Sequence, residues 1–210
     1  MNKHTILSVG DYNRMTYSYL ALRKTVGWIG LLLPFILMLG GFLLDGKIQQ
    51  SISHYYYSSM GNVLVGAMCS VALFLFFYCG YDKWDHWAGN IAGFFALGVA
   101  LFPTTEVGDL TITGKIHYIC ATLFFLTLAF FSIFLFTKLG PNPTQEKIHR
   151  NKIYRICGFI MIACMIGIVM FTGFFQNDNS NSCFVFWAET IALISFGISW
   201  LTKGGTICPD

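Results

Sequence analysis

The residues of this chain best suited to chemistry collect in one uncharged run, Ser51-Ile-Ser-His-Tyr-Tyr-Tyr-Ser-Ser-Met-Gly-Asn62, set between two strongly apolar stretches. Ser51 and Ser53 offer hydroxyl nucleophiles, His54 a proton acceptor that titrates near neutrality, and Tyr57 and Asn62 hydrogen-bond donors. Two readings stand. The run either lines the mouth of a cavity or forms an aromatic belt at headgroup level, where Tyr is enriched.

Glu189 is the sharpest group outside that run, because it lies one to two turns inside the last apolar stretch, beside Trp187. A carboxylate at that depth is costly unless it pairs or faces a wet cavity, which makes it a functional candidate. The structural alternative is a hydrogen bond to Asn62, Tyr or His on neighbouring elements. His54, His117, Glu189 and Asp109 are the ligand types of zinc. The same imidazoles and carboxylates, with Glu106 nearby, suit acid–base hydrolysis in which Ser53, Ser51 or a metal-bound water attacks. No HExxH or other metal spacing is present, so a divalent metal such as zinc is an expectation from residue type alone. His54, His86, His117 and His149 lie near helix entrances, two per side. That pattern raises a dihaem arrangement, but His54 precedes its span by several residues and haem is not expected.

A second polar group comprises Asp82, Asp85, His86, Asn90, His149, Arg150, Tyr154 and Arg155. Asp82-Lys-Trp-Asp-His86 can cap the helix that follows, bind a cation, or pair with Arg150 and Arg155. Arg150, Lys152 and Arg155 can meet lipid phosphate, and His86 with His149 can pass protons.

The elements that must position these groups are membrane helices. The chain has 210 residues, of which 55% are hydrophobic and 11% charged, with 21 Phe and a mean hydropathy of +0.62. A soluble domain carries about 25% charged residues. The seven cysteines show no CxxC and mostly sit in apolar runs, where Cys acts as a small hydrophobe. Residues 1–24 are polar, with no early apolar core of the signal-peptide kind, and a short interfacial helix is expected over residues 13–24.

Six spans follow, at about Val26–Leu44, Met60–Tyr78, Trp87–Phe102, Lys115–Phe136, Ile153–Phe174 and Phe184–Leu201. The expected fold is thus an all-α, polytopic bundle of six transmembrane helices over residues 25–203, with a short tail at 204–210. Pro34 is expected to kink the first span or open one turn of it. Asn62, Gly66 and Ser70 form a small polar stripe expected to face other helices. Ala88, Ala92, Ala96 and Ala100, with Gly89 and Gly93 beside them, allow close backbone approach, and the third helix is expected to be central. The fourth, rich in Phe and Leu, is expected to face lipid most. With the N-terminus inside, eleven Lys and Arg are cytoplasmic and only Lys47 and Lys115 are outside. That bias puts both termini in the cytoplasm. The first polar group then lies on the outer side and the second on the inner.

Ser51-Ile-Ser with Tyr57, Gly80-Tyr-Asp82 followed by Asn90-Ile-Ala-Gly93, Ala100-Leu-Phe-Pro103, and Phe196-Gly-Ile-Ser-Trp200 with Lys203-Gly204 resemble small bacterial six-helix proteins of the uncharacterised domain-998 type. The wider resemblance is to the Frag1/DRAM/Sfk1 membrane proteins, and it spans residues 22–204. It implies a polytopic membrane protein of unsettled activity, with eukaryotic relatives linked to lipid remodelling or autophagy, and it transfers no catalytic residue. More loosely, the chain resembles membrane hydrolases of the alkaline-ceramidase and progestin-receptor type, which place a Ser, an Asp and three His around zinc. This chain has six spans rather than seven, and its last helix offers Glu189 and Ser195 in place of a His-x-x-x-His.

Three function classes stay open: a lipid-active hydrolase, a transporter or channel for a small solute, proton or ion, and a non-catalytic lipid-binding scaffold. The preferred reading is an outward-facing polar cavity in a bacterial inner membrane. There Glu189 serves as acid–base group or ligand, His54 and His117 orient or ligate, and Tyr57 and Asn62 donate hydrogen bonds. Expected partners are membrane lipids and a second copy packed through small-residue faces. Nucleic acid is not expected, since there is no basic soluble domain.

Overall fold

The computed structural model describes residues 9–78, 80, 82–106, 110–174 and 182–209, with side-chain surroundings from Leu20 onward. Among them are six α-helices: α1 (Val9–Asp45), α2 (Gly61–Phe76), α3 (Lys83–Leu101), α4 (Ile112–Phe130), α5 (Gln145–Phe174) and α6 (Phe184–Lys203). Leu20–Asp45, Ile112–Leu135, Gln145–Phe174 and Phe184–Lys203 are long and apolar enough to cross a membrane. The chain is an integral, multi-pass α-helical membrane protein.

Consecutive helices are neighbours, and α6 packs on both α5 and α1, which closes a ring. Leu37, Phe124, Phe131, Phe196 and Trp200 fill its centre, each 2% exposed or less. α6 is the most buried of the four long helices and α5 the least, with 61% against 22% of its apolar window inside the bundle. This corrects two expectations. α5 rather than α4 faces outward most, and α3 is one member of the ring rather than its axis. The Ala88–Ala92–Ala96–Ala100 stripe is nonetheless buried. Beside it, a Cβ at Gly89 would meet the Leu75 carbonyl at 2.7 Å, so the backbones of α2 and α3 touch there.

α1 runs unbroken through Pro34 and is continuous with the expected interfacial segment. Asn62 and Gly66 are exposed, and nothing stands within 4 Å of a Cβ at Gly66. Their stripe faces away from the bundle and not toward other helices. α3 starts on a capping box, in which Asp82 accepts the Trp84 and Asp85 N–H groups and Asp85 reaches back to the Asp82 N–H. α4 starts on Thr111, whose hydroxyl accepts the Gly114 N–H at 3.0 Å. It ends in a π turn, Phe131–Leu135, where the Phe136 N–H reaches the Phe131 carbonyl at 2.9 Å. That extra residue turns Ser132 inward, onto Ser199 at 2.7 Å.

Candidate functional site

The run that opened the sequence folds as a 3-10 helix, Ser53–Tyr57, across one end of the ring. α6 holds it at two points. The Phe186 N–H donates to the Gln50 carbonyl at 3.0 Å, and the Ile52 N–H donates to Glu189 Oε2 at 2.5 Å. On the other side Tyr57 donates its hydroxyl to the Thr104 carbonyl at 2.6 Å, in the connection between α3 and α4. Tyr55 is fully buried, with its ring 6.3 Å from that of Phe186. The middle tyrosine, Tyr56, is half-buried. The aromatic run is therefore a clamp between α4 and α6 more than a belt.

These ties bring Ser53 between two titratable groups. Its Oγ lies 2.9 Å from His117 Nε2 and 3.4 Å from Glu189 Oε1. His117 is buried, and its Nδ1 lies 2.7 Å from the Phe102 carbonyl. A carbonyl only accepts, so Nδ1 carries the proton and a neutral ring presents the Nε2 lone pair to the serine hydroxyl. Ser53 has one proton to give. If it goes to His117, the Glu189 contact needs a proton of its own. If His117 is cationic, Ser53 can donate to a Glu189 carboxylate. The trio is fully hydrogen-bonded only when one proton beyond that of the hydroxyl is shared among them. An alcohol thus sits hydrogen-bonded between an imidazole and a carboxyl group.

Below Ser53 and Glu189 a cavity of about 40 Å3 reaches into the ring, lined by apolar side chains that include Leu33, Met68, Phe124 and Leu193. A water needs about 10–15 Å3, so there is room for more than one small group, and the walls favour an alkyl one.

His54 sits one residue along and is engaged separately. Ser51 Oγ accepts the His54 N–H at 3.1 Å and lies 2.6 Å from His54 Nδ1. Ser51 thus holds both the backbone and the ring of His54. Burial pushes the His54 imidazole below its ordinary pKa, against the Thr105 and Glu106 carbonyls and the Glu106 charge, which act to raise it. Glu106 itself is exposed, as is Asn62, which lines no part of the cavity. Asp109 lies outside the described residues.

Among the described residues no three His, Cys, Asp or Glu side chains come together as a group able to hold a metal ion. This overturns the zinc expectation for His54, His117 and Glu189. His117 directs its two ring nitrogens at Phe102 and Ser53, His54 turns Nδ1 to Ser51, and Glu189 is taken by Ile52 and Ser53. The Phe102 carbonyl and the Ile52 N–H, which set the protonation pattern, are backbone groups to which no residue type points.

At the other end of the ring the second polar group divides. Lys138 joins Asp82 at 2.9 Å and Asp85 at 2.8 Å, a cation from just beyond the far end of α4 that the sequence reading did not pair with them. The Lys138 hydrogen bond holds Asp82 below the ordinary carboxylate range. A Cβ at Gly80 would strike the Asp85 side chain, so this fit needs glycine. His86 is exposed, and its Nε2 lies 3.1 Å from Asn90 Nδ2, one turn along its own helix. His149, Lys152 and Arg155 are exposed on α5, while Arg150, on a different face, is half-buried.

Residues 32–204 match a family of unknown function, DUF7103, and the chain belongs to that family. An uncharacterised family of multi-helix proteins is the general content of the resemblance carried by the motifs. No curated protein and no solved structure matches the chain.

Proposed function

We propose that this DUF7103 protein is a serine-dependent acyl hydrolase of membrane lipids, with Ser53 as nucleophile and His117 as general base. The observation that carries the reading is the placement of Ser53 Oγ 2.9 Å from a histidine nitrogen whose ring is fixed by the Phe102 carbonyl, at the polar end of an apolar cavity. An ester carbonyl at Ser53 with its alkyl chain toward Met68 and Leu193 would satisfy both halves of the site.

In the first step Ser53 Oγ bonds to the acyl carbon while its proton passes to His117 Nε2. The ester C–O bond then breaks, and the leaving alcohol takes that proton. Water attacks the acyl-serine with His117 again as base, which releases a fatty acid and restores the hydroxyl. Glu189 supplies the second acidic group beside Ser53, able to hold the shared proton or to stabilise a protonated His117. His54 and Tyr57 position the 3-10 helix.

In this reading all six helices cross, both termini are cytoplasmic, and the site faces the outer leaflet of a bacterial inner membrane. The eleven-to-two distribution of Lys and Arg supports that orientation. The resemblance to domain-998 and Frag1/DRAM/Sfk1 proteins points the same way, toward lipid. A transport route has less support, since Phe124, Phe131, Phe196 and Trp200 fill the space between the two polar ends.

The test is labelling of the purified protein in micelles by a fluorophosphonate, which reacts with activated serines whatever their substrate. The expected result is an adduct on Ser53 by peptide mass spectrometry, absent in Ser53→Ala. No adduct on Ser53, or equal labelling of the variant, sinks the hydrolase. A purely structural clamp, supported by the Ile52–Glu189 bond, then remains.

A further inference from the structure

The cavity beneath Ser53 is small, and its floor is fixed. Leu33, Leu64, Met68, Phe124, Phe125 and Leu193 wall it, each 8% exposed or less. They come from α1, α2, α4 and α6, so four helices close around one space. Phe124 follows His117 by seven residues of α4, two turns and about 10 Å further into the bundle. Leu193 lies one turn past Glu189 on α6.

Phe124 has nothing to retreat into. Its ring stands 6.5 Å from that of Phe196 and 5.5 Å from that of Phe125. Phe196 is backed in turn by Trp200 at 5.8 Å. It also presses on α1, where a Cβ at Gly30 would come within 2.5 Å of the Phe196 ring. Aromatic groups packed in this way yield little, so Phe124 sets the depth. The cavity measures about 40 Å3. A water-sized group takes about 10–15 Å3, and a methylene is about as large as a water, so about three carbons fit beyond a carbonyl held at Ser53. The fatty acyl chains of a bilayer have several times that number.

We propose, resting on Ser53 as the nucleophile, that the acyl group cleaved is a short one, acetyl to butanoyl, and that Phe124 sets the limit. The substrate is then a membrane lipid that carries a short-chain ester. Ser53 Oγ bonds to the carbonyl carbon, the bond from that carbon to the alcohol oxygen breaks, and the alcohol leaves with the serine proton. Water then releases the short-chain acid and restores the hydroxyl.

The intact protein in mild detergent is assayed with p-nitrophenyl acetate, butanoate, octanoate and dodecanoate, each rate taken as the excess over Ser53→Ala. One methylene in an apolar pocket is worth about tenfold or more, so kcat/KM for butanoate should exceed that for octanoate at least tenfold. Phe124→Ala should raise the octanoate-to-butanoate ratio at least tenfold, and the gentler Phe124→Leu at least threefold. Ala121→Leu, which fills the cavity from α4, should lower the butanoate-to-acetate ratio at least fivefold. Partition of the longer esters into micelles cancels in these ratios between variants, and a loosened fold does not create a preference for octanoate. A profile that is flat or rises from butanoate to dodecanoate, while fluorophosphonate labels Ser53, overturns the chain limit and leaves the hydrolase standing. Ratios unmoved in two active Phe124 variants overturn the role of Phe124. No fluorophosphonate adduct on Ser53 removes the hydrolase and this proposal with it.

Discussion

His117 Nε2 and Ser53 Oγ meet at 2.9 Å although 64 residues separate them, and His117 is 2% exposed. A buried imidazole held at Nδ1 by a carbonyl has one face for proton transfer and no freedom to turn it. His117→Gln keeps a polar group near Ser53 but removes the base. The rate of fluorophosphonate labelling of Ser53 should fall about 100-fold or more, within the usual worth of a general base, with little change in melting temperature.

Glu189 has two roles that substitutions can separate. Glu189→Gln keeps an oxygen for the Ile52 N–H and removes the acid, so labelling should fall at least about tenfold while the fold stays near wild-type stability. Glu189→Ala also uncovers that N–H, and should cost a further roughly 1–3 kcal/mol, the penalty for an unpaired buried donor. Thermal unfolding in micelles reads the difference. Equal melting temperatures for the two variants would show that the tie to Ile52 carries no stability.

Helices α1 and α6 cross with backbone against backbone. A Cβ on Gly197 would come within 2.7 Å of both the Gly27 carbonyl and the Leu31 nitrogen. Neither atom can swing aside, so Gly197→Ala should destabilise by about 1–3 kcal/mol through overpacking. Gly66→Ala, where nothing stands within 4 Å, should be neutral or stabilise by up to about 1 kcal/mol through helix propensity. Paired denaturation curves of the two variants check both signs.

Two groups outside the spans set a dependence on pH. His54 has its pKa lowered on folding, chiefly by burial, so the unfolded chain binds its proton more readily. Its contribution is complete above about pH 6.5, the ordinary histidine value, and shrinks as pH falls below that. Asp82 is lowered chiefly by Lys138. The stability it adds is present above about pH 4 and is lost as pH drops through its folded value. Protection factors against hydrogen exchange at residues 53–57 should therefore fall between pH 7 and 5, and His54→Gln should remove that step. The start of α3 should loosen only below about pH 4.

Composition made the helical membrane class legible, because a chain this apolar has lipid as its only workable solvent. The placing of Ser53, His117 and Glu189 at one end was also legible, since each flanks or begins a helix there. Their protonation pattern was not, because it depends on the backbone at Phe102 and Ile52. Zinc was an error of residue type: ligand chemistry was present, but each group had a nearer partner. The outward faces of α5 and of Asn62–Gly66 were misjudged for one reason. In lipid, apolar and small residues suit both the bilayer and a neighbouring helix, so periodicity alone does not say which they meet. The π turn at Phe131 left no mark in residue type either.

The bond between the Ile52 N–H and Glu189 spans 137 positions of the chain. During synthesis Ser53 and His117 therefore enter the membrane well before the carboxylate that completes their surroundings. Until α6 inserts and shuts the ring, the Ser53 hydroxyl lacks its acid neighbour and the clamp over the cavity is half-fastened. On the acyl-hydrolase reading proposed above, a newborn chain would stay inert toward the lipids through which it is threaded and become reactive only once every helix is in place.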